Sequence, residues 1–150
     1  MTNSEFVYVT YIRTTPEKLW SALTNAEFIK QYWFGMHCEC AWKTGASWKL
    51  VFEDGRIADA GEIIEIDPPK RLVLKWRNEW KPEMKAEGYS RCTFDLESVT
   101  GAVKFTVTHT IDRDQSQFIE AVSVGWPQIL SNLKSLLETG SVALIEHGGH

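Results

Sequence analysis

The feature that most constrains the fold is a long helical pattern over residues 115–150, which follows a region that reads almost entirely as β-strand. Its apolar residues recur every three or four positions and form one continuous stripe: Phe118, Val122, Trp126, Ile129, Leu133, Leu136 and Leu137. A single closing helix must bury this stripe on the preceding strands. In the middle of this stripe lie Gly125, Trp126 and Pro127, which disfavour close packing of the helix on the sheet. The pattern therefore predicts a helix held by a curved sheet, with a space between them.

The middle of the chain has the period of two that is typical of β-strands. The first strand is predicted over 5–13, and the later strands over 48–52, 57–66, 72–76, 89–98 and 103–111, with a further short strand over 36–40. Short turns such as Asp54-Gly55 and Thr100-Gly101 separate successive strands, so neighbouring strands must be antiparallel. We therefore predict an α+β fold, a meander of six or seven strands with helices on one face.

Two short helices are expected after the first strand. A threonine at 14 or 15 can cap the first helix, with Pro16 at its first position and Glu17 in its first turn. Asn25 can cap the second helix, which Gly35 ends. The same pattern leaves two readings for Pro127: a bend within the closing helix, or the first residue of a helix that begins there.

Composition narrows the functional classes. The chain has 150 residues, of which 43% are hydrophobic, so it is expected to form one domain over 1–150, with a core over about 6–139 and a flexible tail over 140–150. A net charge of -4 disfavours nucleic acid as a partner. We find no apolar run long enough to span a membrane and no secretory signal at the first residues, so a cytoplasmic location is expected. Three cysteines without an export signal favour reduced thiols.

Strand alternation indicates which side chains face the closing helix. In the last strand His109 shares a face with Val107 and Phe105, and Trp76 and Trp48 point inward from earlier strands. Buried indole N–H groups need hydrogen-bond partners, so a sheet face with several tryptophans and an imidazole is unlike a plain aliphatic core. A ligand pocket, with apolar walls and a few polar groups, is the alternative that this pattern favours.

Several segments resemble a known family. They are residues 12–24, 32–35, 65–72, 108–109 and 125–133, and they are similar, in the same order, to segments of the bacterial proteins related to the activator of heat-shock-protein ATPase. That family belongs to the START-like, polyketide-cyclase-like (SRPBCC) superfamily. The resemblance covers about residues 6–139. It is specific for the fold and weak for activity, because superfamily members include lipid carriers, cyclases and cochaperone domains.

The resemblance implies a helix-grip fold with a cavity between the sheet and the C-terminal helix. It places five predicted ligand-binding residues near that cavity: Trp33, Trp48, Trp76, His109 and Trp126. Periodicity independently indicates the same faces for all of these but Trp33, since a helix end can turn either way. For each tryptophan, a purely structural place in the core is the competing interpretation.

His109 has three candidate roles: a hydrogen-bonded core residue, a group that orients a ligand, or a general acid or base. The last role needs a nearby orienting group, and Glu62 or Glu65 could approach it if the register allowed. We predict no catalytic residue.

The run His37-Cys38-Glu39-Cys40 suggests a metal site, but its spacing is poor. In a strand, Cys38 and Cys40 share one face while His37 takes the other. We predict no metal site and no cofactor. The charged segment 79–85 is either a solvated hairpin loop or a mobile lip over the cavity mouth, with Trp80 and Met84 as adaptable apolar contacts.

The sequence supports a ligand-binding protein more firmly than an enzyme, because it has no nucleophile elbow, phosphate loop or dinucleotide fingerprint. The leading hypothesis is binding of a small hydrophobic molecule, lipid-like or aromatic, between sheet and closing helix. The second, which the resemblance implies, is a cochaperone-like module that interacts with a heat-shock ATPase. The third is a cyclase-like or hydrolase-like enzyme that uses His109. Oligomeric state is not indicated.

Overall fold

A curved seven-stranded antiparallel sheet wraps one long helix in the computed structural model, which describes residues 3–145. The elements in chain order are β1 (Ser4–Ile12), α1 (Pro16–Thr24), α2 (Ala26–Tyr32), β2 (His37–Cys40), β3 (Ser47–Val51), β4 (Ile57–Asp67), β5 (Arg71–Asn78), α3 (Pro82–Lys85), β6 (Ser90–Val99), β7 (Ala102–Ile111) and α4 (Gln117–Thr139). The strand order is β1-β7-β6-β5-β4-β3-β2. This architecture confirms the predicted α+β helix-grip fold.

The two short helices begin where their capping residues predict. Thr15 accepts a hydrogen bond from the backbone N–H of Lys18, and Pro16 follows at the first helical position. Asn25 Oδ1 accepts from the backbone N–H groups of Glu27 and Phe28. The single residue between α1 and α2 therefore caps the second helix at the end of the first.

One face of the sheet is buried under α4, as strand alternation predicts. Every second residue of β7 is buried, and His109 is among these inward residues. Trp76 on β5 and Trp48 on β3 also point into the core and are 3% and 2% exposed. The inner sheet face thus carries a patch of aromatic rings rather than a uniform aliphatic layer.

Register shifts bend the sheet on the side of the cavity. They lie between Leu50 and Val51 where β3 pairs with β4, and between Ile63 and Glu65 where β4 pairs with β5. Such irregularities increase strand bending and twist. Gly61, opposite Trp76, permits a close approach of β4 to β5, because a Cβ there would collide with the backbone oxygen of Lys75.

The closing helix α4 is continuous through Pro127. Ser116 caps its start by accepting from the backbone N–H of Ile119, and Gly140, at φ 89°, ends it with a hydrogen bond to the carbonyl of Leu136. The reading of Pro127 as a helix start is therefore wrong, since ten helical residues precede it. Proline cannot donate to the carbonyl of Ser123, so the amide ladder of α4 lacks one rung there.

The residues after α4 return against it. Asn132 is completely buried and holds Leu144 through two hydrogen bonds, one to the backbone N–H and one to the carbonyl. The predicted tail, 140–150, thus includes a segment attached to α4, and its last part, 146–150, lies outside the described residues. Between residues 3 and 145, no helix has the length and apolar character needed to cross a membrane.

Candidate functional site

A cavity of about 510 Å³ lies between the inner sheet face and the first half of α4. Its walls come from the residues that follow α2, the residue that follows β3, strands β4 and β5, the α3 segment and α4. The lining residues are mainly aromatic or aliphatic: Trp33, Phe34, Met36, Phe52, Ala58, Asp59, Trp76, Asn78, Trp80, Lys81, Met84, Phe118, Ala121, Val122, Gly125, Trp126 and Ile129. This volume is in the usual range of small-molecule sites.

Three indoles form the inner wall of the cavity, and we call Trp33, Trp76 and Trp126 the indole triad. The ring centres are 5.8 Å apart for Trp33 and Trp76, 5.3 Å for Trp33 and Trp126, and 5.6 Å for Trp76 and Trp126. Edge-to-face and tilted contacts at these distances are favourable beyond the area that they bury. The triad therefore joins α2, β5 and α4 into one aromatic surface.

A chain of hydrogen bonds fixes the triad from behind. The indole N–H of Trp126 donates to His109 Nδ1 at 3.1 Å. Nδ1 accepts, so the imidazole proton sits on Nε2, which donates to Ser90 Oγ at 2.8 Å. The hydroxyl of Ser90 in turn donates to the carbonyl of Trp76 at 2.9 Å. One neutral histidine thus links α4 to β5 through β7 and β6.

Burial keeps His109 uncharged. The side chain is completely inaccessible, and desolvation lowers its pKa to about 3. Both ring nitrogens are already used, and the ring does not border the cavity. In this arrangement the imidazole has no free nitrogen facing the cavity, and its hydrogen bonds hold the Trp126 indole and the Ser90 hydroxyl.

The carboxylates suggested as partners of His109 lie on the other face of the sheet. Glu62 approaches Lys75 at 3.7 Å and Glu65 approaches Arg71 at 3.3 Å, and all four side chains are substantially exposed. The expectation that Glu62 or Glu65 could reach the imidazole is wrong. In the register of β4 against β5, Glu62 pairs with Lys75 and Glu65 with Val73, which alternate with the inward residues Leu72, Leu74 and Trp76.

The five predicted site residues occupy two layers. Trp33, Trp76 and Trp126 line the cavity, whereas Trp48 packs behind Trp76, with ring centres 4.4 Å apart, and His109 lies behind both Trp76 and Trp126. Trp48 is not among the residues that line this cavity; it borders a smaller void of about 20 Å³, which has room for about one water. The triad therefore faces the cavity, while Trp48 and His109 pack behind it.

Asp59 is a cavity residue that the sequence analysis did not identify. Its Oδ1 accepts the indole N–H of Trp76 at 3.0 Å. Desolvation raises the pKa of this carboxyl to about 7; the bond from Trp76 opposes the rise, and the negative charge of Glu79 adds to it. The signal was present in the strand period, because Asp59 alternates with Gly61 and Ile63 on the inner face of β4.

The segment around α3 forms one lip of the cavity mouth. Trp80 packs edge-on against Phe52 at 5.4 Å, and both residues line the cavity together with Met84. Glu79 pairs with Arg77 and with Lys85, which fastens this segment to β5. The segment 79–85 connects the antiparallel strands β5 and β6 and is largely exposed, as a hairpin loop is, and it also borders the cavity. Both interpretations fit this position, so a mobile lip stays a prediction.

Glu87 fastens the same segment to α4. Its carboxylate accepts hydrogen bonds from the Ser116 hydroxyl and from the backbone N–H groups of Gln117 and Phe118. A carboxylate at this position satisfies helix N–H groups that have no partner within the helix and lies at the positive end of the helix dipole. The cavity mouth is thus bounded by a segment attached at both of its ends.

The cysteine-rich strand β2 follows the predicted faces. Cys38 is buried and Cys40 half-buried, while His37 points to solvent and approaches Glu39 at 3.6 Å. Burial, with the nearby Cys40 and Glu39, raises the pKa of the Cys38 thiol to about 12. Within the described range, no three His, Cys, Asp or Glu side chains are grouped closely enough to hold a metal ion.

Comparison with known proteins gives a family and a set of similar folds. The family described as "Activator of Hsp90 ATPase homolog 1-like protein" matches residues 13–138. A solved structure of protein MLL2253 from Mesorhizobium loti is 24% identical, with a TM-score of 0.79, covering 93% of this chain and 100% of the other.

Two further structures have names that refer to activators. The Aha1 dimer from Colwellia psychrerythraea is 23% identical with a TM-score of 0.75, and the alignment covers 93% of this chain and 98% of that one. An HSP90 activator from Plasmodium falciparum is 26% identical with a TM-score of 0.74, covering 89% and 95% of the two chains. No curated protein sequence matches this chain.

Proposed function

The chain belongs to the Activator of Hsp90 ATPase homolog 1-like family, and we propose that within this family it is a binding protein that encloses a small, largely apolar molecule between its sheet and α4. The observation that carries the proposal is the cavity of about 510 Å³ beside the indole triad. A close-packed core of a domain this size leaves few voids larger than a water. An opening of this volume, bordered by seven aromatic side chains, is better explained as a site.

Affinity would come mainly from removing apolar ligand surface from water. Burial of about 200 Å² against the triad and α4 contributes about 5 kcal/mol, before the cost of immobilising the ligand. The hydrogen bonds behind the triad hold the Trp76 and Trp126 rings in place, which reduces the ordering required on binding. A ring-shaped molecule suits such a wall, since its flat faces match the indoles.

The test is titration of 2-(1-naphthyl)ethanol, a neutral aromatic probe, followed by amide chemical shifts. We expect the shifts to concentrate on Trp33, Trp76 and Trp126. The variant Ala121→Phe fills the cavity from α4 and should weaken binding at least about tenfold, because it removes the space for the probe. Val124→Phe is the matched control, since Val124 lies on the exposed side of the same helix.

Two outcomes would count against the proposal. One is the absence of shifts around the cavity with the naphthyl probe, with flavonoids and with fatty acids. The other is equal weakening by Ala121→Phe and Val124→Phe, which would place the bound probe elsewhere.

A second candidate function is stimulation of a heat-shock ATPase through contact with that chaperone. The family description favours it, as does the similarity to the HSP90 activator from Plasmodium falciparum. The test is the ATPase rate of a bacterial chaperone of the Hsp90 type, with and without the protein. A rate increase that saturates with added protein supports this function, and an unchanged rate together with no co-purification contradicts it.

A further inference from the structure

The carboxylate of Asp59 has one oxygen that the protein does not use. Oδ1 accepts from Trp76, and across the described residues no other group donates to this side chain and no cation pairs with it. The side chain is half-buried and lines the cavity, so the remaining accessible surface of the carboxylate opens on the cavity space. A carboxylate that is partly removed from water without a counter-charge loses part of its hydration free energy.

The other charges around Asp59 do not neutralise it. Of the described residues that line the cavity, only Lys81 is also ionisable, and its ammonium lies 4.9 Å from the ring centre of Trp80, at the lip. Glu79 adds negative charge, which Arg77 and Lys85 compensate through their own contacts. The cavity residues that follow α2 and β3, and those contributed by α4, are uncharged.

We propose that the cavity selects a molecule with a ring-sized apolar body and a protonated amine, and that the ammonium binds the free oxygen of Asp59 beside the indole triad. This inference rests on the proposed binding function and specifies the ligand class. The ammonium would provide the counter-charge that Asp59 lacks, and it would bind next to Trp76, whose indole N–H occupies the other carboxylate oxygen. The apolar body would fill the space between the triad and Ala121, Val122 and Gly125 of α4.

Ligands with other polar groups are expected to bind this site more weakly than an amine. A carboxylate would be repelled by Asp59 and could reach only Lys81 at the lip. An alcohol or phenol can donate one neutral hydrogen bond, but it leaves the charge without a counter-ion. Hydrogen bonds to charged groups are the stronger ones, so an amine is expected to bind at least about tenfold more tightly than the matching alcohol.

Protonation of Asp59 gives the proposal a pH signature. Burial raises the pKa of Asp59 to about 7, so acidification to pH 6 neutralises much of the charge that an ammonium needs. An alkylamine keeps its proton across this range. Amine affinity should therefore rise between pH 6 and pH 8, while alcohol affinity should stay nearly level.

The experiment compares three naphthyl probes by calorimetric titration at pH 8: 2-(1-naphthyl)ethylamine, 2-(1-naphthyl)ethanol and 1-naphthylacetate. The variant is Asp59→Asn, which keeps the shape and removes the charge. Asp112→Asn is the control, because it changes the net charge equally at an exposed residue that does not line the cavity. We expect the wild type and Asp112→Asn to prefer the amine at least about tenfold, and Asp59→Asn to lose that preference.

The outcomes separate this inference from the function on which it rests. Equal affinity of the wild type for amine and alcohol overturns the inference and leaves the binding function intact. Failure of all three probes to bind overturns both. If Asp59→Asn does not fold, the carboxyl ¹³C titration of Asp59 in the wild type decides: saturating amine should lower its pKa, and an unchanged pKa overturns the inference.

Discussion

The indole of Trp126 on α4 donates to His109 Nδ1 on β7 across 3.1 Å, with both side chains in the core. Through this bond the histidine holds Trp126, which lines the cavity, from behind. The bond also explains why an imidazole can occupy the centre of an otherwise aromatic and aliphatic layer: each of its nitrogens has a partner, the second being Ser90.

The variant His109→Leu should therefore destabilise the fold. It leaves the indole N–H of Trp126 and the hydroxyl of Ser90 without their histidine partner, at an expected loss of about 2 to 4 kcal/mol in the free energy of unfolding. Urea unfolding measures the loss. The control is His37→Leu, at an exposed position. Equal losses in the two variants would contradict the structural role of the imidazole.

Acid should also weaken the fold through His109. The pKa is about 3 in the folded chain and is ordinarily 6.5, so between these values the unfolded chain binds a proton that the folded chain does not. Titration of His109 therefore leaves the free energy of unfolding unchanged above pH 6.5 and decreases it as the pH falls from 6.5 toward 3. Unfolding free energies measured across this window should depend less on pH in His109→Leu than in the wild type, and parallel curves would contradict the assignment.

Asp59 should act in the opposite direction. Its pKa is about 7 in the folded chain and 3.8 ordinarily, so between these values the folded chain holds a proton that the unfolded chain has released. Stability therefore falls as pH rises from 4 to 7, and the penalty is constant above that range. The melting temperature of Asp59→Asn minus that of the wild type should therefore be larger at pH 8 than at pH 4. An offset that does not change with pH, as expected for Asp112→Asn, would contradict the raised pKa.

Glu87 should control the cavity lip. The variant Glu87→Ala removes three hydrogen bonds at the start of α4 and should cost about 1 to 2 kcal/mol, as helix caps do. Amide hydrogen exchange should accelerate over residues 79–88 while β6 and β7 stay protected. In the control Glu83→Ala, an exposed residue of α3, exchange should match the wild type. Unchanged exchange in Glu87→Ala would mean that the lip is held by other contacts.

Gly61 should tolerate no side chain. In Gly61→Ala the new Cβ meets the backbone oxygen of Lys75, so β4 and β5 must separate next to Trp76. We expect a loss above about 2 kcal/mol in the free energy of unfolding, together with amide shift changes around the indole triad. Glu62→Ala, the neighbouring position, should change stability by less than about 1 kcal/mol because its ion pair is exposed. Comparable losses in the two variants would contradict the close approach.

Local patterns predict most of this fold because the decisive signals are close in sequence. The caps at Thr15 and Asn25 and the alternation of β7 concern neighbouring residues, and each is found where the sequence predicts it. The continuity of α4 was harder to predict from the sequence. Proline suits both a helix start and a bend, and the choice depended on Ser116, which caps the helix well before Pro127.

The site was only partly predictable. Alternation along a strand shows which side chains point inward, but which of these reach the cavity depends on how the strands pair. Alternation directs both Trp48 and Trp76 inward, yet only the pairing of β3, β4 and β5 puts Trp76 at the cavity and Trp48 behind it. The position of Trp33 depends on how α2 ends. Asp59 had a readable pattern, but its importance arises from Trp76, seventeen residues away in sequence.

The missing rung at Pro127 divides α4 into parts with different attachments. After it, Leu130, Leu133 and Leu136 are embedded in the core, so this half should open only when the whole domain unfolds. Before it, Phe118, Ala121 and Val122 border the cavity, and the half is tied to the rest of the chain at its start by Glu87. Most of the α4 residues that border the cavity thus precede Pro127, and the amides of the first turns should exchange with solvent sooner than those that follow it.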